Sequence, residues 1–243
     1  MVRNAVIAFA FGVALAGPVA AQPEAELESA NNNIANTASL QRGAKYFVNY
    51  CLGCHSADYV RYNRLGQDLQ LSDQQLLDNL MFTGERPFDT MSRAMRPEDA
   101  ERWFGIAPPD LSLIARSRGT DYLYTFLRSF YADPASPTGV DNVVLPGTAM
   151  PHVLWQLQGI QQAVFAPDEH GAEVFERFEL AKPGELGVAE FDDVVRDIVN
   201  FLDYIGEPIK RQRQQLGIRV IGFLLVFLLI AYMLKKEIWK DVK

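Results

Sequence analysis

The residues with the clearest chemistry are Cys51, Cys54 and His55, which stand in the run Cys-Leu-Gly-Cys-His. Two thiols three positions apart can add to the two vinyl groups of a haem, and the following histidine is then held against the iron. The chain has only these two cysteines. The motif therefore predicts one covalently attached haem c, with His55 as an axial ligand.

Two other chemistries use this cysteine spacing. A structural zinc site needs four ligands, but the chain has no third cysteine and only two further histidines, His152 and His170. A dithiol redox motif needs no adjacent histidine and usually lies in a βαβ unit. Haem attachment is favoured over both.

An iron that only transfers electrons needs a second axial ligand. Met150 is the favoured candidate, because it lies in a Pro- and Gly-rich loop, residues 145–151, and not on a periodic apolar face. We call this segment the Met150 loop. His152, another methionine and an open coordination site remain alternatives, whereas His170 lies in a polar stretch typical of a surface loop. The other methionines considered are Met81, Met91 and Met95.

Two amphipathic segments are predicted to support the motif. Residues 40–50 have the apolar period of a helix that leads directly into Cys51, and residues 192–205 carry a second apolar stripe. Small c-type cytochromes cross their first and last helices beside the haem, and this pair matches that arrangement by resemblance. Gly43 would permit close approach of the two helices. Further helices are predicted at residues 73–83 and 121–131.

Both ends of the chain carry membrane signals. Residues 1–21 combine a basic start, a short apolar run and small residues, which predicts a secretory signal peptide. Residues 220–234 contain no charge and are flanked by basic and aromatic residues, which predicts a single membrane span. We expect an exported domain at 22–209, an anchor with its basic flanks at 210–236 and a cytoplasmic tail at 237–243. This places the domain on the periplasmic side of a bacterial inner membrane.

The charge of the exported domain indicates its kind of partner. The whole chain has a formal net charge of −7, but residues 22–209 carry 14 basic and 28 acidic residues. An acidic domain repels nucleic acid and attracts cationic proteins. The charge therefore predicts no nucleic-acid partner, and an acidic surface that serves solubility alone remains the alternative to a cationic partner.

The sequence resembles the cytochrome c1 family. The resemblance rests on the cysteine motif, an Ala-Pro-Pro-Asp-Leu-Ser run at 107–112, an Ile-Ala-Arg-Ser-Arg run at 114–118, Asp121-Tyr122, the Met150 loop and a C-terminal anchor. It implies that Cys51 and Cys54 bind the haem, with His55 and Met150 as iron ligands. It also implies that a carbonyl of the Pro108-Pro109 turn orients His55 and that Arg118, assisted by Tyr122, pairs with a haem propionate.

The resemblance implies a mainly α, c-type cytochrome fold with loop-rich insertions and one C-terminal transmembrane helix. The implied function is that of the haem subunit of quinol–cytochrome c reductase, the cytochrome bc1 complex. It would pass one electron from the Rieske iron–sulfur protein to a basic or membrane-tethered cytochrome c, in a dimeric complex with cytochrome b. The chain itself would hold no quinol-oxidising site. A free-standing anchored cytochrome and a haem-based sensor are the alternatives.

Overall fold

The computed structural model describes residues 26–168 and 171–241. The predicted signal peptide and His170 lie outside the described residues. Most of the regular structure is helical, which confirms the mainly α expectation. The helices are α1 Thr37–Tyr46, α2 Tyr62–Leu69, α3 Asp73–Asn79, α4 Pro97–Phe104, α5 Ile114–Arg118, α6 Thr120–Arg128, α7 Trp155–Gln158, α8 Val188–Gly206 and α9 Lys210–Ile238, with a π-helix at Phe47–Cys51.

The strands of the described chain form three separate antiparallel pairs. The first two pairs are short and lie in connections between helices, whereas the third is a long hairpin. The strands are β1 Ala57–Arg61 with β2 Thr90–Met91, β3 Phe130–Ala132 with β4 Val140–Asn142, and β5 Gly159–Pro167 with β6 Glu173–Pro183.

The core forms where α1 crosses α8, the pair predicted from the two apolar stripes. Gly43 lies at the crossing, and a Cβ atom there would be 2.0 Å from the carbonyl oxygen of Asp197 and 2.7 Å from Cβ of Phe201. Only glycine permits this approach. Beside it, the Arg42 guanidinium donates to both carboxylate oxygens of Asp197 at 2.6 and 2.9 Å, and Ser39 donates to the same carboxylate at 2.6 Å.

The helix that carries the cysteine motif changes its winding before it reaches Cys51. α1 ends at Tyr46 and continues as the π-helix Phe47–Cys51, and the backbone N–H of Leu52 donates to the carbonyl of Phe47 at 2.9 Å. The ring of Phe47 is fully buried and packs 5.4 Å from that of Phe201 on α8. The wider turn changes the direction of the side chains that follow.

Two predicted helices are shorter than expected, and one hairpin was not predicted. The helix predicted at 73–83 ends at Asn79, after which Leu80 and Met81 turn into the core. The helix predicted at 121–131 ends at Arg128, because Phe130–Ala132 pairs with β4. The β5–β6 hairpin lies in a region predicted to be mostly loop, where partly exposed strands give only a weak alternation of apolar residues.

α9 is long and apolar enough to cross a membrane. It has 29 residues, a mean hydropathy of 2.4 in its most apolar window, and no residue buried against the rest of the described chain. A helix of this length spans about 44 Å at 1.5 Å per residue, more than the ~30 Å hydrocarbon core. Its range includes the predicted anchor.

Candidate haem-binding site

Cys51, Cys54 and His55 follow the π-helix in a tight helical turn. The backbone N–H groups of Cys54 and His55 both donate to the carbonyl of Cys51, at 3.0 and 2.8 Å. This turn brings the two thiols and the imidazole together. Backbone N–H groups of Ala94 and Met95 donate to the carbonyls of Leu52 and Gly53, at 3.3 and 2.9 Å, and hold the turn from outside.

His55 is oriented by the Pro108-Pro109 turn, as the family resemblance implies. Its Nδ1 lies 2.8 Å from the carbonyl oxygen of Pro109. A carbonyl can only accept, so Nδ1 carries the proton and Nε2 keeps its lone pair for a metal. Burial lowers the pKa of His55, with the Pro109 hydrogen bond opposing this shift.

The Pro108-Pro109 turn is itself fixed at both ends. The guanidinium of Arg93 donates to the carbonyl of Pro108 at 2.8 Å. On the other side, Asp110 accepts from the Ser56 hydroxyl and from the backbone N–H groups of Asp58 and Ser112, each at 2.8 Å. Burial opposes ionisation of Asp110, but these hydrogen bonds outweigh it and its pKa lies below the ordinary value. The carbonyl that meets His55 is therefore held in a rigid loop.

The two thiols are in an environment that favours the protonated form. Burial raises the pKa of Cys51 to about 12 and raises that of Cys54 as well. A dithiol redox motif needs a lowered thiol pKa, because the thiolate is the nucleophile. Among the described residues, no group of three or more His, Cys, Asp and Glu side chains could hold a metal ion. The surroundings of the motif favour neither rival chemistry.

Arg118 and Tyr122 lie next to each other. The guanidinium carbon of Arg118 is 5.5 Å from the centroid of the Tyr122 ring. No carboxylate of the described residues pairs with Arg118 in an ion pair, so its charge is available to an anion. α5, which carries Arg118, begins two residues after Ser112 and so connects this pair to the His55 loop.

The Met150 loop is held by two polar residues of β4. Oδ1 of Asp141 accepts from the backbone of Gly147 at 2.7 Å and of Thr148 at 3.3 Å. Asn142, which is fully buried, accepts from the backbone of Leu145 at 3.2 Å and donates to the carbonyl of Phe126 at 2.8 Å. The second contact ties the loop to α6.

The candidate iron ligands differ in their surroundings. Met150 is half-buried and packs against the core, whereas Met81 and Met91 are only 6% and 0% exposed and fill the core itself. His152 is buried and stacks on Phe130, with ring centroids 5.1 Å apart and planes 4° from parallel. Burial lowers the pKa of His152 to about 4, so the imidazole is neutral at physiological pH.

A row of stacked and edge-on rings runs from Tyr122 to His152, which follows the Met150 loop. The rings of Tyr122 and Phe126 stack at 6.1 Å, and Phe126 meets Phe130 edge-on at 5.1 Å. Phe130 in turn stacks on His152. Phe126 and Phe130 were not predicted as site residues, although they follow Tyr122 at intervals of four residues, Phe126 on α6 and Phe130 at the start of β3. Asp110 was not predicted as a site residue either, although it stands in the Ala-Pro-Pro-Asp-Leu-Ser run at 107–112.

These residues fit a haem c. A haem needs two thiols, a histidine whose free nitrogen faces the iron and a partly exposed apolar wall for the ring. Such a wall is available, because a set of apolar side chains packs on the core without being fully buried. The set includes Tyr50, Leu111, Ile114, Tyr122, Phe126, Met150 and Val153.

The chain is similar to known proteins over most of its length. Cytochrome c1 of Allochromatium vinosum is 50% identical over 218 residues, which cover 89% of each chain. A Nitrosomonas europaea protein named ammonia monooxygenase gamma subunit is 45% identical over 219 residues, 90% of each chain. The mitochondrial cytochrome c1 heme protein of Schizosaccharomyces pombe is 26% identical over 237 residues, 85% of this chain and 68% of that one.

The family described as "Cytochrome C1 family" matches residues 31–161 and 187–242. The unmatched segment between them contains most of the β5–β6 hairpin. The cysteine motif, the Pro108-Pro109 turn, Arg118, Tyr122 and Met150 all lie in matched segments. The extent of this match and the identity to the A. vinosum protein show that the chain belongs to the cytochrome c1 family.

Proposed function

We propose that this chain is the haem-carrying electron-transfer subunit of a quinol–cytochrome c reductase. It takes one electron from a Rieske iron–sulfur protein and delivers it to a cytochrome c. Quinol oxidation belongs to cytochrome b elsewhere in the dimeric complex, so the chain needs no acid–base pair for that step. The observation that carries the proposal is the His55–Pro109 hydrogen bond beside the turn that holds Cys51 and Cys54.

Different residues of the chain would bind, orient and shield one haem c. When bound, the haem supplies an iron that changes reversibly between its ferric and ferrous states. Cys51 and Cys54 hold it covalently, and His55 offers Nε2 to the iron while Pro109 fixes the plane of the imidazole. Met150 would offer its thioether sulfur to the same iron. Apolar residues around the site exclude water, and Arg118 neutralises a propionate with its planar fork of donors.

Replacing Met150 tests the axial assignment. Met150→Leu removes the thioether at nearly constant volume, so we expect a lower reduction potential or high-spin iron, because thioether ligation favours ferrous iron. The matched control is Met91→Leu, since Met91 is fully buried in the core. Potentiometric titration measures the reduction potential, and the visible spectrum reports the spin state of the iron, in both variants. An unchanged potential and spectrum in Met150→Leu would remove Met150 from the site.

The charge of the exported domain predicts the class of electron acceptor. With a net charge of −14 over residues 22–209, the domain attracts a basic cytochrome c and accelerates encounter. The bimolecular rate of electron transfer should fall as ionic strength rises. A rate that is independent of salt would contradict electrostatic steering.

Membership of the complex is tested by the proteins that copurify. Isolation from the native membrane in mild detergent should recover a cytochrome b and a Rieske protein with this chain. The N. europaea relative bears the name of an ammonia monooxygenase subunit, which makes this measurement decisive. Isolation of the chain alone would favour a free-standing anchored cytochrome, and carbon monoxide binding by the reduced native protein would favour a sensor.

A further inference from the structure

Two buried polar atoms of the described residues lack a hydrogen bond, and both lie just after the Met150 loop. They are Nε2 of His152 and Oε1 of Gln158. The Gln158 side chain and the Gly159 backbone both act to raise the pKa of His152 against the effect of burial, but neither makes a hydrogen bond of good geometry with Nε2. Buried polar groups are almost always paired in folded proteins, so this pair needs an explanation.

Two neighbours of the His152 ring, Phe130 and Gln158, are fixed to the end of α6. Phe130, which stacks on the imidazole, is 1% exposed. The amide nitrogen of Gln158 donates to the carbonyl of Arg128 at 2.9 Å. Gln161 also donates from its side chain to the carbonyls of Arg128 and Phe130, each at 2.8 Å. His152 is thus held by residues of α6, β3 and α7.

The donor and acceptor of the pair are complementary. A neutral imidazole has one N–H, and an amide Oε1 can only accept. With the proton on Nε2, the unpaired nitrogen of His152 is a donor and the unpaired oxygen of Gln158 is an acceptor. With the proton on Nδ1, both unpaired atoms are acceptors, at a cost in free energy.

We propose that His152 is a positioning residue for Met150, seated on Phe130 with a protonated Nε2 beside the Gln158 amide. The proposal rests on the proposed function, since it takes Met150 as an axial ligand. One residue separates the two, and that residue is Pro151, whose ring fixes its φ angle. Asp141 and Asn142 hold the Met150 loop before the methionine, and His152 holds it after.

This role predicts how easily Met150 leaves the iron. An added ligand such as imidazole binds ferric iron only when Met150 has moved away, so its apparent affinity scales with the fraction of open protein. In His152→Leu the loop loses both the stacking and the donor. We expect imidazole to bind about tenfold more tightly, which corresponds to about 1.4 kcal/mol.

The experiment titrates imidazole into the haem-loaded, ferric, full-length chain in detergent and follows the visible spectrum. His152→Phe keeps the stacked ring but removes the donor, so its gain should be smaller, about threefold. Gln158→Leu removes the acceptor and also the amide's bond to the carbonyl of Arg128, so its gain should be at least that of His152→Phe. The double variant should bind imidazole no more tightly than Gln158→Leu alone, because the two changes share one interaction. The control is Leu76→Ala at a fully buried position on α3, which should destabilise the fold and leave imidazole affinity unchanged.

The outcomes separate this proposal from the proposed function. If Met150→Leu changes the spectrum but His152→Leu and His152→Phe bind imidazole like the wild type, the positioning role is wrong and the haem ligation stands. If Met150→Leu itself changes nothing, the axial assignment fails. An equal gain in Leu76→Ala would mean general loosening of the fold and would overturn the proposal. If His152→Leu does not assemble, His152→Phe carries the test.

Discussion

The contact between α1 and α8 at Gly43 makes a quantitative prediction about stability. In Gly43→Ala the new Cβ would lie 2.0 Å from the carbonyl oxygen of Asp197, whereas ordinary contact begins near 3.4 Å. The atoms that the new Cβ would meet belong to the backbone and to Cβ of Phe201, so no flexible side chain can move aside. The helices must therefore separate by roughly 1 Å or more, as overpacked cores do.

The cost follows from three contributions. Overpacking costs about 1–3 kcal/mol. Separation of the helices also weakens the hydrogen bonds of Arg42 and Ser39 to the buried Asp197 carboxylate, by about 1–2 kcal/mol in total. The better helix propensity of alanine offsets about 1 kcal/mol. We expect the free energy of unfolding to fall by about 2–3 kcal/mol, and Tm by about 4–12 °C for a domain of this size.

Urea unfolding of the haem-loaded chain, followed by far-ultraviolet circular dichroism, measures this change. The matched control is Gly217→Ala, because Gly217 is also helical, on α9, but a Cβ atom added there would have no neighbouring atom within 4 Å. The control should unfold at or slightly above the wild-type midpoint, because only the better helix propensity of alanine acts there. A Gly43→Ala variant as stable as the wild type would refute the close crossing, and with it the support that α8 gives to the helix leading into Cys51.

Three further predictions concern the loop behind His55, the core ion pair and the hairpin. Asp110→Asn should lower the free energy of unfolding at pH 7 by about 1–2 kcal/mol. Because the pKa of Asp110 is lowered from 3.8, the ionised carboxylate contributes stability above about pH 4, and this contribution is lost as pH falls through the lowered pKa. In an acid titration, the stability of the variant should therefore decline less steeply than that of the wild type. Arg42→Ala removes the cation that pairs with the Asp197 carboxylate, whose side chain is only 8% exposed. Thermal unfolding should show that the free energy of unfolding falls by about 2 kcal/mol. An unchanged Tm would contradict this prediction. Gly159→Ala places a Cβ 2.3 Å from the carbonyl oxygen of Lys182, at a φ of +92°. Limited proteolysis should therefore cut the β5–β6 hairpin of the variant faster than that of the wild type, while the haem spectrum is retained. Equal cleavage rates would contradict this prediction.

Local sequence was sufficient for the features that depend on neighbouring residues. The cysteine motif, the apolar stripes of α1 and α8, and the C-terminal apolar helix each have a pattern of short range. Gly43 could be predicted as a contact point because it stands on the apolar face of a helix. Helix ends were less predictable: α6 stops at Arg128 because β3 pairs with β4, and that partner lies ten residues further along the chain.

Residue type and spacing were enough to predict a haem attachment site, one membrane span and an acidic exported domain, because thioether chemistry, hydropathy and charge depend on local composition. The carbonyl that meets His55, the residues that hold the Met150 loop and the surroundings of His152 became visible only in the folded chain. Those contacts join residues far apart in the chain, such as His55 with Pro109 and Asn142 with Phe126. They depend on how α5, α6 and the short strands pack, and packing is a property of the whole fold.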